Sequence, residues 1–154
     1  MFGLFVAMVL ATPTPREACA DEKPVRVTVV VVLASEKDGK VDPKLRQLAA
    51  EVRKRNKELK SFKLAESMAK SIPIGDSATF ELIDKQMLKV TVERPRDENG
   101  QVGLTIKPPQ LGKVTYRCVC DKFFPVITPH KTSNGEHLIV VVMAKPCTLN
   151  KKQK

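Results

Sequence analysis

Two nearly unbroken aliphatic runs constrain this chain more than any other feature. Val25 to Leu33 reads V-R-V-T-V-V-V-V-L, and His137 to Ala144 reads H-L-I-V-V-V-M-A. A strand with one wet face alternates apolar and polar residues, whereas runs this continuous need cover on both sides. Both are therefore expected to be interior strands, central in their sheet and candidates for direct neighbours. Whatever fold the chain adopts must supply apolar material to each face of that pair.

One convincing helix lies between them, at about residues 43–56. Asp42 is placed to cap it, and Pro43 suits a first turn whose amide needs no partner. Leu45, Leu48, Ala49 and Val52 recur at i, i+3, i+4 and i+7, which makes a single apolar stripe. Arg53, Lys54, Arg55 and Lys57 crowd its C-terminal end, where cations complement the helix dipole. This basic cluster therefore needs no ligand to account for it.

From Ser61 the period changes to two. Phe62, Leu64, Glu66 and Met68 alternate with Lys63, Ala65 and Ser67, so the four are expected on one face. Further alternating stretches follow over 78–82, 88–93 and 101–107, separated by turn sequences at Pro73–Asp76, Asp84–Gln86 and Asp97–Gly100. Asn99-Gly100 is a strong hairpin signal, and Asn134-Gly135 is a second one. Pro108 to Gly112 closes the 101–107 strand. Val114, Tyr116, Cys118 and Cys120 then share a face, more favourably the core face. Pro125 interrupts the stretch 123–128 and assigns it to an edge or a bulge. Seven or eight short strands with regular turns and one early helix predict an α+β fold, a mostly antiparallel β-sandwich or partly open barrel. The domain is expected to run over 21–147, with 148–154 a disordered basic tail.

The N-terminus bears on compartment. Phe2 to Ala11 is a ten-residue apolar run, and Ala18-Cys19-Ala20 precedes the charged Asp21-Glu22-Lys23. A short apolar core ending in small residues is the pattern of a secretory signal peptide cleaved after Ala20. Ten residues rise about 15 Å as a helix, too short for a membrane span. Before the run the Met1 amine is the sole positive charge, unless the true start lies upstream. The competing reading is a buried first strand of a cytosolic domain. Export, to the periplasm or beyond the cell, is the expectation.

The formal charge is +10, and residues 101–154 carry nine bases against two acids. A basic surface favours polyanions. Nucleic-acid binding would want aromatic platforms among the basic residues, and Trp is absent while Tyr116 is the only tyrosine. The expected partners are an unidentified protein or an anionic envelope component, with no nucleic acid and no membrane span, and the protein is expected to be a monomer.

Cys118, Cys120 and Cys147 remain in the processed chain. In an exported protein the default is a disulfide. Cys118 and Cys120 stand two apart on one strand, with α-carbons about 6.5–7 Å apart, at the limit for an unstrained bridge. The expected bridge therefore joins Cys147 to Cys118 or Cys120, which leaves one thiol over. The alternative is metal. Cys118, Cys120, His130, His137, Met143 and Cys147 put six soft or borderline ligands into a short stretch, and a set of Cys118, Cys120, Cys147 and His137 would suit copper or zinc. No cofactor is otherwise expected. Catalysis lacks its parts: there is no G-X-S-X-G elbow, phosphate-binding glycine loop or H-E-X-X-H, and Asp76, Glu81, Asp84 and Glu93 are scattered over turns and solvent-facing strand positions. Cys120 and Asp121 point to opposite sides of a strand. A non-enzymatic binding or structural module is expected.

The apolar leader, the valine-rich first strand, Val41-Asp42-Pro43-Lys44-Leu45 and the Gly103–Pro109 element together resemble small exported bacterial proteins of unknown function. The resemblance extends over most of 25–147. It implies export and one β-rich domain, and it carries no functional residue with it.

Overall fold

A computed structural model describes residues 23–146. The expected leader at 1–20, Cys147 and the tail 148–154 lie outside the described residues. Within them are eight strands: β1 (Val25–Ser35), β2 (Ser61–Ile72), β3 (Ser77–Glu81), β4 (Met87–Arg94), β5 (Gln101–Lys107), β6 (Val114–Val119), β7 (Phe123–Lys131) and β8 (His137–Pro146). One short helix, α1 (Arg46–Arg55), follows a 3-10 turn at Pro43–Leu45. All strand pairings between these elements are antiparallel, and they form two separate sheets, β2-β1-β8-β7 and β3-β4-β5-β6.

The two aliphatic runs are the adjacent central strands of the first sheet, paired from Val25↔Pro146 to Ala34↔His137. Alternation divides their residues between two clusters. Val25, Val27, Val29 and Val31 of β1, with Leu138, Val140, Val142 and Ala144 of β8, are buried together with Phe80, Leu88, Val90, Val92, Val102, Leu104 and Ile106 of the second sheet. Val32, Ala34, Ile139 and Val141 point the other way, into a cluster with Leu45, Leu48, Ala49 and Val52 of the helical segment. Burying one such aliphatic side chain contributes about 1.5–3 kcal/mol, so two-sided burial makes this pair of strands the centre of the fold.

The helix begins later than the pattern at 43–56 implies. Asp42 accepts a bond from the Lys44 amide at 2.9 Å, so the cap is present, but the first turn is wound as 3-10 and regular α-helix starts at Arg46. Its basic end is tied down locally: Arg53 donates through Nε to the Leu59 carbonyl at 3.1 Å and lies over the Phe62 ring. No helix among the described residues is long and apolar enough to cross a membrane.

Strand β2 corrects the expectation that Phe62, Leu64, Glu66 and Met68 share a face. Val32 pairs with Leu64 while Val31 pairs with Glu66, so the register slips by one residue at Ala65. Phe62 and Leu64 consequently join the helix cluster, and Met68 and Ile72 join the inter-sheet cluster. A bulge inserts one unpaired residue and turns the strand over. On the inter-sheet side of its far half, Lys70 donates to the Thr79 carbonyl and covers the Phe80 ring, 5.0 Å from its centroid.

Pro125 does sit on an edge strand, β7, as its missing amide requires. The β7–β8 pairing breaks between Ile127 and Lys131, around Pro129, and there the buried Thr128 hydroxyl donates to the Leu138 carbonyl at 2.8 Å. A side chain thus supplies the hydrogen bond that the interrupted ladder leaves unmade.

Candidate functional site

The second sheet presents a face to solvent that none of the described elements covers, and strict alternation builds it. In β3 to β6 the inward set is Ala78, Phe80, Leu88, Val90, Val92, Val102, Leu104, Ile106 and Cys118, which are buried or packed on the core. The residues between them point outward, and cross-strand register arranges these into rows. Ser77 pairs with Thr91, Thr91 with Thr105, and Thr105 with Thr115, so four hydroxyls run straight across all four strands. Ser77 Oγ lies 2.8 Å from Thr91 Oγ1, and Thr105 Oγ1 lies 2.8 Å from Thr115 Oγ1. Three strand spacings make this row about 14 Å long.

A basic row flanks it on each side. Toward one end of the sheet Thr79 pairs with Lys89 and Lys89 with Lys107. Toward the other, Gly103 stands between Arg94 on β4 and Arg117 on β6. Lys89, Lys107 and Arg117 each stand two residues along their strands from the hydroxyls, about 6.6–6.8 Å, and Arg94 stands three residues on, across a bulge. Lys89, Lys107, Arg94 and Arg117 are exposed. Among the described residues, none of the four makes an ion pair. The second bulge of the protein places Arg94: Val92 pairs with Leu104 and Arg94 with Gly103, so Glu93 is the extra residue. Simple alternation from Leu88, Val90 and Val92 would have pointed residue 94 inward.

Chemically, this face offers hydroxyls that both donate and accept, between two pairs of cations, with Glu93 beside Arg94 as an opposing charge. It is an extended surface with shallow depressions, of about 440 and 600 Å³ beside Gly103 and 370 Å³ beside Lys107. A separate groove of about 490 Å³ lies between α1 and β7, where Val52, Phe123, Pro125 and Ile127 alternate with Glu51, Arg55, Asp121 and Lys122 in its lining. Its charges are of mixed sign and lack the regular order of the sheet face.

The residues singled out from the sequence fall elsewhere, and the structure does not assemble them. Cys118 is 3% exposed, and burial pushes its thiol pKa up, with neighbouring Cys120 raising it further against a lowering backbone bond from Ala144. Cys120, half-buried, is also raised by burial, partly opposed by Arg96 and reinforced by Asp121 and Asp97. Both cysteines are free thiols here, and the expected partner Cys147 lies outside the described residues. Tyr116, Cys118 and Cys120 pack on the core as expected, whereas Val114, at the start of β6, is exposed.

His137 begins β8 opposite Ala34 and bonds Glu36 at 3.3 Å, while Cys118 adjoins Ala144 at the far end of the same strand. Seven residues of strand separate those ends, about 23 Å, so His137 and the two described cysteines cannot share one metal ion. His130 joins the two sheets instead, bonding Asp84 at 3.0 Å and Gln110 at 3.3 Å. Met143 is half-buried and lines a small recess beside the helix with Phe123 and Val30. Among the described residues no three His, Cys, Asp or Glu side chains gather at metal-binding spacing.

Sequence reasoning missed the rows because they exist only across strands. Thr91, Thr105 and Thr115 were each legible as outward positions, but their alignment depends on hairpin register. No protein-family model, curated protein or solved structure matches the chain.

Proposed function

We propose that this protein is an exported, non-enzymatic binding module that holds an anionic polymer of the cell envelope or secreted space against the outer face of its second sheet. The two sheets are read as a sandwich, with the first sheet and its helix serving as the scaffold. The observation that carries this reading is the hydroxyl row Ser77, Thr91, Thr105 and Thr115 between the pairs Lys89/Lys107 and Arg94/Arg117. A polymer lying along the row meets hydrogen-bonding groups under its backbone and cations on both flanks. Exposed cations in such an array attract polyanions collectively, and the attraction weakens as salt screens it.

The test is titration of the full chain with dextran sulfate and polyphosphate across a series of salt concentrations. Replacing Lys89, Lys107, Arg94 and Arg117 together by Gln is expected to weaken binding tenfold or more, about 1.4 kcal/mol. Replacing Lys44, Lys54, Lys57 and Lys60, an equal charge elsewhere, is expected to cost far less. Equal losses from both sets would mean that net charge alone attracts polyanions, and would overturn the assignment to this face. Export is tested by intact mass of protein from its native host, where a mature chain beginning at Asp21 is expected.

A further inference from the structure

We propose that the notch over Gly103, between Arg94 and Arg117, is a subsite for a tetrahedral oxyanion, the sulfate or phosphate ester of the bound polymer. This rests on the polyanion reading above and narrows it to esters over carboxylates.

Gly103 occupies the middle of three strands, with Arg94 opposite on one side and Arg117 on the other. Two strand spacings separate the arginine backbones, about 9.6 Å, so both side chains reach an anion held between them. The missing side chain at 103 lets the Arg94 stem lie down across the sheet toward Arg117. A Cβ at 103 would stand 3.1 Å from Arg94 Cβ and 3.4 Å from Arg94 Cγ and its backbone nitrogen, closer than such atoms ordinarily pack. The Arg94 stem therefore already lies over the glycine, lowered onto it by the bulge at Glu93. Arg117 lines both depressions that flank this point, and Arg96 lines one of them.

Two guanidinium forks set the preference. Each presents a pair of N–H donors matched to two oxygens of one anion. A carboxylate has two oxygens and satisfies one fork, whereas the three terminal oxygens of an ester sulfate or phosphate engage both. Thr105 and Thr115 lie in the adjacent row and line the depression beside the notch, and their mutual bond uses only one hydroxyl hydrogen, leaving the other free to donate. Glu93 lines the same depression and is the opposing charge. Asp97 is committed to its turn, where Oδ1 accepts the amides of Asn99 and Gln101.

The experiment is amide NMR of the full chain titrated with sodium sulfate, sodium phosphate and sodium acetate at constant ionic strength. Sulfate and phosphate are expected to shift the Arg94, Gly103 and Arg117 amides saturably, at least tenfold more tightly than acetate. R117K, which keeps the charge and loses the fork, is expected to erase that preference; K44Q, in the turn before the helix and away from this sheet, is expected to retain it. G103A is expected to weaken both ions, with melting temperature checked to establish that the variant folds. Acetate binding as well as sulfate, or R117K behaving as wild type, would overturn the notch. Dextran sulfate is expected to bind far more tightly than inorganic sulfate and than polygalacturonate; equal affinity for polymer and free ion would overturn the ester-on-polymer assignment. The two readings fail separately. Polyanion binding that ignores R117K and does not distinguish sulfate from carboxylate polymers removes the notch and leaves the face. Sulfate binding at Gly103 without polymer binding removes the face.

Discussion

The rings of Tyr116 and Phe124 stack with centroids 4.1 Å apart and planes 22° from parallel, joining the edge strand β6 of one sheet to the edge strand β7 of the other. The Tyr116 hydroxyl beyond that stack is buried without a hydrogen-bond partner, alone in this among the side chains of the described residues. Tyr116→Phe keeps the stacked ring and removes the unpaired group. A buried hydroxyl left unsatisfied costs about 1–3 kcal/mol, so the variant is expected to be stabilised by about 1 kcal/mol. Thermal denaturation of both proteins checks it, and a lowered melting temperature would show that the hydroxyl has a partner.

Alkaline pH is expected to destabilise the protein. Burial raises the Tyr116 pKa well above its ordinary 10.0, with Cys118 adding to the effect, and burial raises the Cys118 thiol above 9.0. An acid whose folded pKa exceeds its unfolded one favours the folded state below the unfolded value and loses that contribution as pH rises. Stability should therefore hold up to about pH 9 and decline above it, first through Cys118 and then through Tyr116. In chemical denaturation from pH 7 to pH 11, Cys118→Ala and Tyr116→Phe should each flatten part of the decline. A profile unchanged in both variants would contradict the assignment.

Thiol reactivity should separate the two cysteines of β6 and its end. Cys118 is 3% exposed, and burial disfavours its thiolate, the reactive form. Iodoacetamide followed by tandem mass spectrometry is expected to find Cys118 unmodified in the native protein and modified after unfolding, with Cys120 reacting slowly in the native state. Rapid native labelling of Cys118 would show that this part of β6 opens.

Val140→Asp places a carboxylate on the inter-sheet side of the most buried strand pair, where Val140 has no exposure. An isolated buried charge costs several kcal/mol, comparable with the whole stability of a small domain. Loss of cooperative unfolding and of a sharp elution peak is expected. Thr91→Val on the open face of the second sheet is the control and should fold.

The central architecture was legible because it depends on composition along single segments. Nine residues of β1 with almost no polar interruption demand two covered faces, and Asp42-Pro43 with Leu45, Leu48 and Val52 specifies a capped amphipathic helix wherever it packs. What escaped was everything that depends on counting across strands. Plain alternation through Ala65 puts Glu66 and Met68 on the face of Phe62, and nothing short of the bulge at Glu93 sets Arg94 beside Gly103. Bulges leave little trace in a single sequence, since the extra residue is of ordinary type. The alternative metal set loses His137 for a related reason: His137 opens β8 while Cys118, on β6, lies beside Ala144 near the other end of β8, because a strand converts short sequence separation into length, and Cys147 lies outside the described residues.

The slip at Ala65 makes the number of residues in β2 as consequential as their identity. Upstream of it, odd positions turn away from the helix; downstream, odd positions share the helix side and even ones such as Met68 and Ile72 turn from it. Deleting a single residue there would exchange inside for outside along the strand's whole second half, taking Ile72 out of the core and carrying Lys70 off the ring of Phe80. Among descendants of this sequence, residue types between Leu64 and Met68 can drift freely, but the spacing between those two anchors cannot change by one without compensation elsewhere in the strand.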